Sequence, residues 1–235
     1  MTESRRAYFS SSTLSSLQRL YDKFVHSVFD FCLWFLWRHK RGMIHGQLPD
    51  FPFVLVSNHG SYLDWLLLHV VIRRKFGRGI IFLAKKKVAT NPVFGPLVRD
   101  CKAVVVDDLA KSKAIILDAR VFKNSNPESP PIVGIFPEGT RSRTGEPMVN
   151  SSGAAWLARN CGLSIVPVAL CGFWETLPPR RKIPRFSGRN LSVHILSPVN
   201  PSRFTNDQAT IDHAMESIYE IVRPQRKAPS NTVAK

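Results

Sequence analysis

From Leu14 onward apolar side chains recur at Leu17, Tyr21, Phe24, Val28, Phe31 and Phe35. The alternating steps of three and four mark one face of a helix, and Arg19, Asp22, Lys23 and His26 lie off that stripe. The segment then becomes almost wholly apolar and aromatic, FDFCLWFLW, and stops at Arg38-His39-Lys40-Arg41. An independent membrane span needs about 20 apolar residues. The run from Phe31 to Trp37 is far shorter, and Asp30 interrupts its approach. Two readings remain open: a helix packed on the core, or an interfacial helix or helical hairpin with Trp34 and Trp37 at headgroup depth and the basic cluster on lipid phosphates. The aromatic density and the abrupt basic stop favour the second, so residues 1–42 are expected to form an interfacial helical segment that lies on a bilayer without crossing it.

After residue 45 the pattern changes to alternating strands and helices. Strands are predicted at 53–56, 79–84, 103–106, 132–136, 163–170 and 191–196. Helices are predicted at 62–74, 109–123, 151–160 and 207–222. This alternation implies an α/β domain built on a mainly parallel, helix-covered sheet, spanning 43–223. Residues 124–131 and 178–189 read as Pro- or Arg-rich loops, and 224–235 as a loose basic tail.

The chain has 235 residues, 44% of them hydrophobic, which suits a folded domain and excludes a disordered one. Its net charge of +16 predicts attraction to something anionic: nucleic acid, an acidic membrane surface or an acidic carrier protein. No paired Cys/His signature or aromatic RNP-type strand supports nucleic acid, and none is expected as a partner. Cys32, Cys101, Cys161 and Cys171 form no C-x-x-C pair, so buried, reduced thiols and no metal site are expected. No secretory signal is visible.

Ser57-Asn-His59-Gly-Ser-Tyr-Leu-Asp64 lies where a predicted strand ends and a helix begins, the end of such sheets at which ligands bind. On one continuous helix His59 and Asp64 would point roughly 140° apart, but a strand-to-helix turn lets the carboxylate face back onto the imidazole. It would then fix the tautomer, leaving the other ring nitrogen to take a proton from a hydroxyl. Ser61-x-x-Asp64 is equally a capping box, and His45-x4-Asp50 repeats the spacing before the strand. The second signal is Phe136-Pro-Glu138-Gly139-Thr140-Arg141-Ser142. Gly139 permits a tight turn, and Arg141 offers a planar fork suited to phosphate, so the segment reads either as an anion cradle or as an ordinary turn.

Together, Asn-His-Gly-Ser-Tyr-Leu-Asp and Phe-Pro-Glu-Gly-Thr-Arg-Ser resemble the blocks of the glycerolipid acyltransferase family, which includes bacterial 1-acylglycerol-3-phosphate acyltransferases. Gly46-Gln-Leu-Pro49 looks like that family's lead-in. Ala84-Lys85 with Ala103-Val-Val-Val-Asp107 looks like its second block, and Leu163-Ser-Ile-Val-Pro167-Val like its fourth. The resemblance implies transfer of an acyl group from an acyl thioester, on coenzyme A or acyl carrier protein, to the hydroxyl of a lysophospholipid, first of all 1-acyl-sn-glycerol-3-phosphate. It implies His59 as general base and Asp64 as its orienter. Glu138, Gly139, Thr140 and Arg141 would bind the acceptor phosphate, Lys85 and Asp107 would be further acceptor contacts, and Pro167 would be a wall for the acyl chain. No cofactor or metal is implied, and the expected location is the cytoplasmic face of a membrane with anionic lipid. Two positions depart from the family. Asp108 stands where an Arg is common, and Met148-Val149-Asn150 stands where Phe-Lys is common. Another acceptor, such as a lyso amino-acid lipid, therefore stays open beside lysophosphatidate.

Overall fold

The computed structural model describes residues 16–50, 52–85, 89–91, 95–100, 104–106 and 132–227. The helix expected at 109–123, the loop at 124–131 and the tail from 228 lie outside them. Helix α1 (Ser16–His39) leads into strand β1 (Met43–His45). There follow β2 (Phe53–Ser57), α2 (Leu63–Phe76), β3 (Ile80–Lys85), α3 (Gly95–Asp100), β4 (Val104–Val106) and β5 (Ile132–Ile135). Helix α4 (Gly153–Asn160), β6 (Ser164–Cys171), the short α5 (Phe173–Thr176), β7 (Ser192–Ile195) and α6 (Asp207–Lys227) complete the order. The last helix thus continues past Val222, where the apolar periodicity stops, and through Pro224.

Seven strands form one sheet in the order β1-β7-β6-β2-β5-β3-β4. Every pairing is parallel except β6 with β7, so the expected mainly parallel sheet is found. The three-residue β1 is too short to carry a readable alternation. Strand β2 is buried at every position, which is why it reads as an unbroken apolar run rather than an alternating one. Phe53 and Leu55 join the core beneath α1 and α2, while Val54 and Val56 join the core beneath α4 and α6. The site loops spring from the carboxyl ends of β2 and β5, between these two layers.

Helix α1 corrects two expectations. It is a single uninterrupted helix rather than a hairpin, and it meets the domain with the face opposite to its periodic stripe. Leu33, Leu36 and Trp37 are buried in the core, with Phe29 and Trp34 packed against it. Trp37, expected at headgroup depth, is 4% exposed and lies so close to Gly42 that a Cβ there would sit 2.1 Å from its ring. Asp30 does not merely interrupt the run: it is ion-paired with Arg73 and Arg74 of α2. Burial pushes its carboxyl upward, but the two guanidinium groups outweigh that and hold it below the usual range. Lys40, expected among lipid phosphates, is buried and donates Nζ–H to the Ser187 carbonyl at 3.0 Å; that burial lowers its pKa. The stripe itself, Tyr21, Phe24, Val28, Phe31 and Phe35, is exposed. Among the described residues no helix is long and apolar enough to cross a membrane. Of the cysteines expected to be buried, Cys171 is, Cys161 is half-buried and Cys32 sits on the exposed side of α1; Cys101 lies outside the described residues.

Because α1 is keyed into the core, Trp37→Ala is expected to cost about 3–5 kcal/mol, as for other buried Trp truncations. Urea unfolding in lipid-free buffer measures it. A loss under about 1 kcal/mol would mean that the helix detaches from the domain in water.

Candidate active site

Strand β2 ends at Ser57, and the next residue ties the turn down. Asn58 Nδ2 donates to the Leu170 carbonyl at 3.0 Å, and its Oδ1 accepts the Leu170 N–H at 2.8 Å. The turn is thereby fastened to the neighbouring strand β6, and His59 projects just beyond. Its Nδ1 lies 2.8 Å from Asp64 Oδ2, and that oxygen also accepts the N–H groups of Gly60 at 2.7 Å and Ser61 at 2.8 Å. Asp64 is 1% exposed. One oxygen of Asp64 therefore meets the imidazole and ties down the turn before α2, whereas the helix itself is capped at Tyr62 without a side-chain cap bond. The Ser61 hydroxyl accepts the Leu63 N–H and donates to the Leu177 carbonyl, which fastens the helix start to the segment after α5. Among the described residues, His59 Nε2 has no hydrogen-bond partner. The alternative pair does not assemble: His45 stacks on His194 across β1 and β7 with ring centroids 4.4 Å apart.

The second segment follows β5 and is laced onto the first. Phe136 stacks on the His59 imidazole at 4.2 Å and is itself stacked on Phe82. Gly139 turns the chain in the left-handed region, φ +64°, and donates its N–H to the Phe136 carbonyl. The Ser142 N–H donates to the His59 carbonyl at 2.8 Å. Arg141 lies over the Tyr62 ring, 3.5 Å from its centroid, and its buried Nη1 has no hydrogen-bond partner among the described residues. Thr140 is exposed beside it. Arg141 thus presents a desolvated donor held flat against an aromatic face, an arrangement suited to a phosphate oxygen.

Glu138 is turned inward. Its Oε1 accepts the His59 N–H and the Tyr219 hydroxyl, each at 2.8 Å, and Oε2 is buried without a protein partner among the described residues. Burial raises its carboxyl pKa above the usual range, and Asp64 adds to that, against the opposing hydrogen bonds of His59 and Tyr219. Tyr219 comes from α6. Its hydroxyl also accepts a backbone hydrogen bond from Met148, and burial first, then Glu138, pushes its pKa far up. The sequence carries no signal for this contact, which spans 81 positions; Tyr219 reads there as one more core position of an amphipathic helix. Asn58 and Tyr62 were in view within the motif, but their partners were not. Beside His59 lies a cavity of about 20 Å³, bordered by Asn58, Glu138, Leu170, Trp174 and Tyr219.

Of three further expected residues, one has a described side chain and lies elsewhere. Pro167 faces α6 with the other odd-numbered residues of β6. It lines a separate open pocket of about 430 Å³ with Leu196, Phe204 and Ile221, which shares no residue with the cavity at His59. Asp107 and the side chain of Lys85 lie outside the described residues, as does Asp108. Among the described residues no group of His, Cys, Asp and Glu could hold a metal ion.

Comparison with known proteins places the chain in a family. The chain is 29% identical over 173 residues to a 1-acyl-sn-glycerol-3-phosphate acyltransferase of Cocos nucifera, covering 72% of this chain and 52% of that protein. It is 27% identical over 181 residues to the human 1-acyl-sn-glycerol-3-phosphate acyltransferase alpha, covering 76% and 62%. The chain spans about half the length of several curated relatives it matches. The crystal structure of the 1-acyl-sn-glycerophosphate acyltransferase PlsC from Thermotoga maritima superposes with a TM-score of 0.62 at 20% identity, covering 90% of this chain and 96% of that one, so the two share a fold. Residues 43–171, more than half of the chain, match the family model described as Acyltransferase, and the chain belongs to that family.

Proposed function

We propose that this protein acylates the free hydroxyl of a lysophospholipid, foremost 1-acyl-sn-glycerol-3-phosphate, using an acyl thioester of coenzyme A or acyl carrier protein. The observation that carries the reading is the His59–Asp64 contact at 2.8 Å, set beside the Arg141 fork on Tyr62. The names of the relatives support the choice of acceptor.

In this mechanism Asp64 holds Nδ1 protonated, so Nε2 is the basic nitrogen. Nε2 takes the proton of the acceptor hydroxyl as its oxygen attacks the thioester carbonyl carbon. The tetrahedral oxyanion then re-forms the carbonyl and breaks the C–S bond, and the imidazolium returns the proton to the departing sulfur. The N–H groups of His59, Gly60, Ser61 and Ser142 are each already donated within the protein, so the oxyanion draws on other donors. Arg141 binds the acceptor phosphate. Glu138 is not a phosphate ligand in this reading, because a carboxylate would repel that group; it positions His59 through the backbone N–H. The exposed stripe of α1 rests on an anionic bilayer, which supplies the acceptor.

His59→Ala is expected to lower acyl transfer by roughly 10² to 10⁴ with the fold intact, whereas His45→Ala leaves turnover near normal. Turnover assays on the two purified variants check this, and near-normal rates from His59→Ala would refute the mechanism.

Arg141→Lys is expected to raise the acceptor KM roughly tenfold, the loss of one charge-assisted contact, and the thioester KM much less. Tyr62→Leu should act in the same direction through Arg141, so the double variant should be less than additive. Additive effects, or equal effects on both substrates, would detach this pair from the acceptor site.

For Glu138 the sign follows from its raised pKa. Its contribution to stability is fully present below the unfolded value and is lost as pH rises through the folded value. Glu138→Gln keeps an acceptor oxygen but cannot ionise, so its stability relative to wild type should improve as pH rises from the ordinary carboxyl value through the raised folded one. Thermal melts across that range measure it; a pH-independent difference would mean that burial does not disfavour the Glu138 carboxylate.

A further inference from the structure

The loop between α5 and β7 carries Arg180, Arg181, Lys182, Arg185 and Arg189 and no acidic residue from Pro178 to Asn190. Charge alone would make this a solvated surface. Two large apolar side chains in the same loop are nevertheless turned outward: Ile183 is 67% exposed and Phe186 49%. Phe186 is not isolated. It meets the edge of His39 at 5.4 Å, and His39 stacks on Phe35 of α1 at 6.1 Å. The exposed stripe of Phe24, Val28, Phe31 and Phe35 therefore continues through His39 into the loop as one apolar surface, flanked by Arg38, Arg41 and the loop cations. Buried bonds hold the two parts together: Lys40 Nζ–H to the Ser187 carbonyl, and the Leu191 N–H to the Lys40 carbonyl.

The loop also sits at the functional end of the sheet. Cys171 pairs with Ser192, and Ser192 pairs with Met43. The chain thus leaves β6, re-enters at β7 and arrives from α1 at one level, the level at which Asn58 grips Leu170 beside His59. The stem of the loop supplies Trp174 and Glu175 to the cavity wall at His59, and Leu177 accepts the hydroxyl of Ser61.

We propose that residues 178–189 form a second membrane-docking element, which seats on an anionic bilayer together with the α1 stripe and so holds the His59 end of the sheet at the lipid surface. This rests on the membrane reading of α1 given above and extends it to a part of the chain outside the family match. The occupant is anionic lipid because the patch combines outward aromatic and aliphatic side chains with a loop that carries five basic residues and no acidic one, the complement of an acidic headgroup layer over acyl chains. One contact along a helix fixes a line on the membrane; a second beside it fixes the rotation about that line, and with it the direction in which the cavity opens.

The test uses the full chain and flotation with phosphatidylcholine vesicles, with and without phosphatidylglycerol. Ile183→Asp with Phe186→Asp is compared with Phe24→Asp with Phe31→Asp. Each pair should weaken binding at least roughly tenfold, since each withdraws two large apolar side chains from the interface. The loop pair should keep near wild-type turnover on a short-chain, monomeric acceptor. Arg180→Glu with Lys182→Glu should remove most of the preference for phosphatidylglycerol. If the loop pair floats like wild type while the helix pair does not, the loop proposal falls and the membrane reading of α1 stands. If neither pair loses binding, both fall. Unaltered flotation with lost turnover only when acyl carrier protein is the donor would make the loop a carrier-docking site and overturn the proposal. Should the Asp pair lower the melting temperature, Ile183→Ser with Phe186→Ser gives the same comparison. Flotation is read without catalysis, so an inactive wild type that still binds vesicles would count against the acyl-transfer reading alone.

Discussion

One carboxylate oxygen organises the site. Asp64 Oδ2 receives His59 Nδ1, the Gly60 N–H and the Ser61 N–H within 2.8 Å, in a place nearly closed to water. An isolated buried charge is costly, and three converging donors offset that cost. The geometry runs in one direction: the carboxylate can collect both backbone donors only if the chain turns sharply between β2 and α2, and that turn delivers the imidazole to the same oxygen. Folding of the turn and orientation of the imidazole are a single event. This is why a spacing unsuited to one helix is the right spacing across a strand-to-helix corner, and why the repeat of that spacing at His45, placed before β2, assembles nothing comparable.

How much of this was legible beforehand depended on whether the cause was local. The apolar runs of β2, β5 and β6 and the strand-end placement of both motifs follow from composition and spacing along a few residues, and the sheet has them where expected. Helix α1 shows the limit. Its periodicity correctly marked a helix, but an apolar stripe does not say what covers it. Two faces of α1 are apolar, and the one that packs on the domain is Phe29, Leu33, Leu36 and Trp37, chosen by Asp30 seeking Arg73 and Arg74. That partner choice is tertiary and had no signature in residues 16–39. Pro167 illustrates a different limit. Alternation along β6 places it with Ile165 and Ala169 beneath α6, so its side could be worked out only once the strand's neighbours were known.

Within the site, the two loops are joined through backbone as much as through side chains. His59 donates its N–H to Glu138 and accepts from Ser142 through its carbonyl, while its ring lies on Phe136. The second loop therefore acts on His59 at three points, and Arg141 belongs to that same loop. Displacement of Arg141 would be felt at His59 through a chain of only two residues. On the proposed function, a substrate that engages both groups would have to match the separation this lacing sets, which would select a hydroxyl at a fixed reach from an anionic group.

The match to the family model stops at Cys171, but the physical site does not. Glu138 is buried, and the charge of Asp64 adds to the burial that disfavours its ionisation. The Tyr219 hydroxyl donates to that carboxyl and eases the burden on it. Its own backbone partner, Met148, lies in the stretch that departs from the family's usual residues. Helix α6 reaches this point because Ile211, Met215, Ile218 and Val222 bury one face against α4 and the sheet, so apolar packing fixes the hydroxyl to within hydrogen-bond reach. The helix can supply that contact without any local motif. A tyrosine at the right turn of an amphipathic helix costs the fold nothing in apolar area, and it adds one polar group where the loops alone would leave a carboxyl short of donors. The His59 corner is thus closed from the C-terminal side by residues whose pattern speaks only of core, and the boundary of a motif is a poor guide to the boundary of a site.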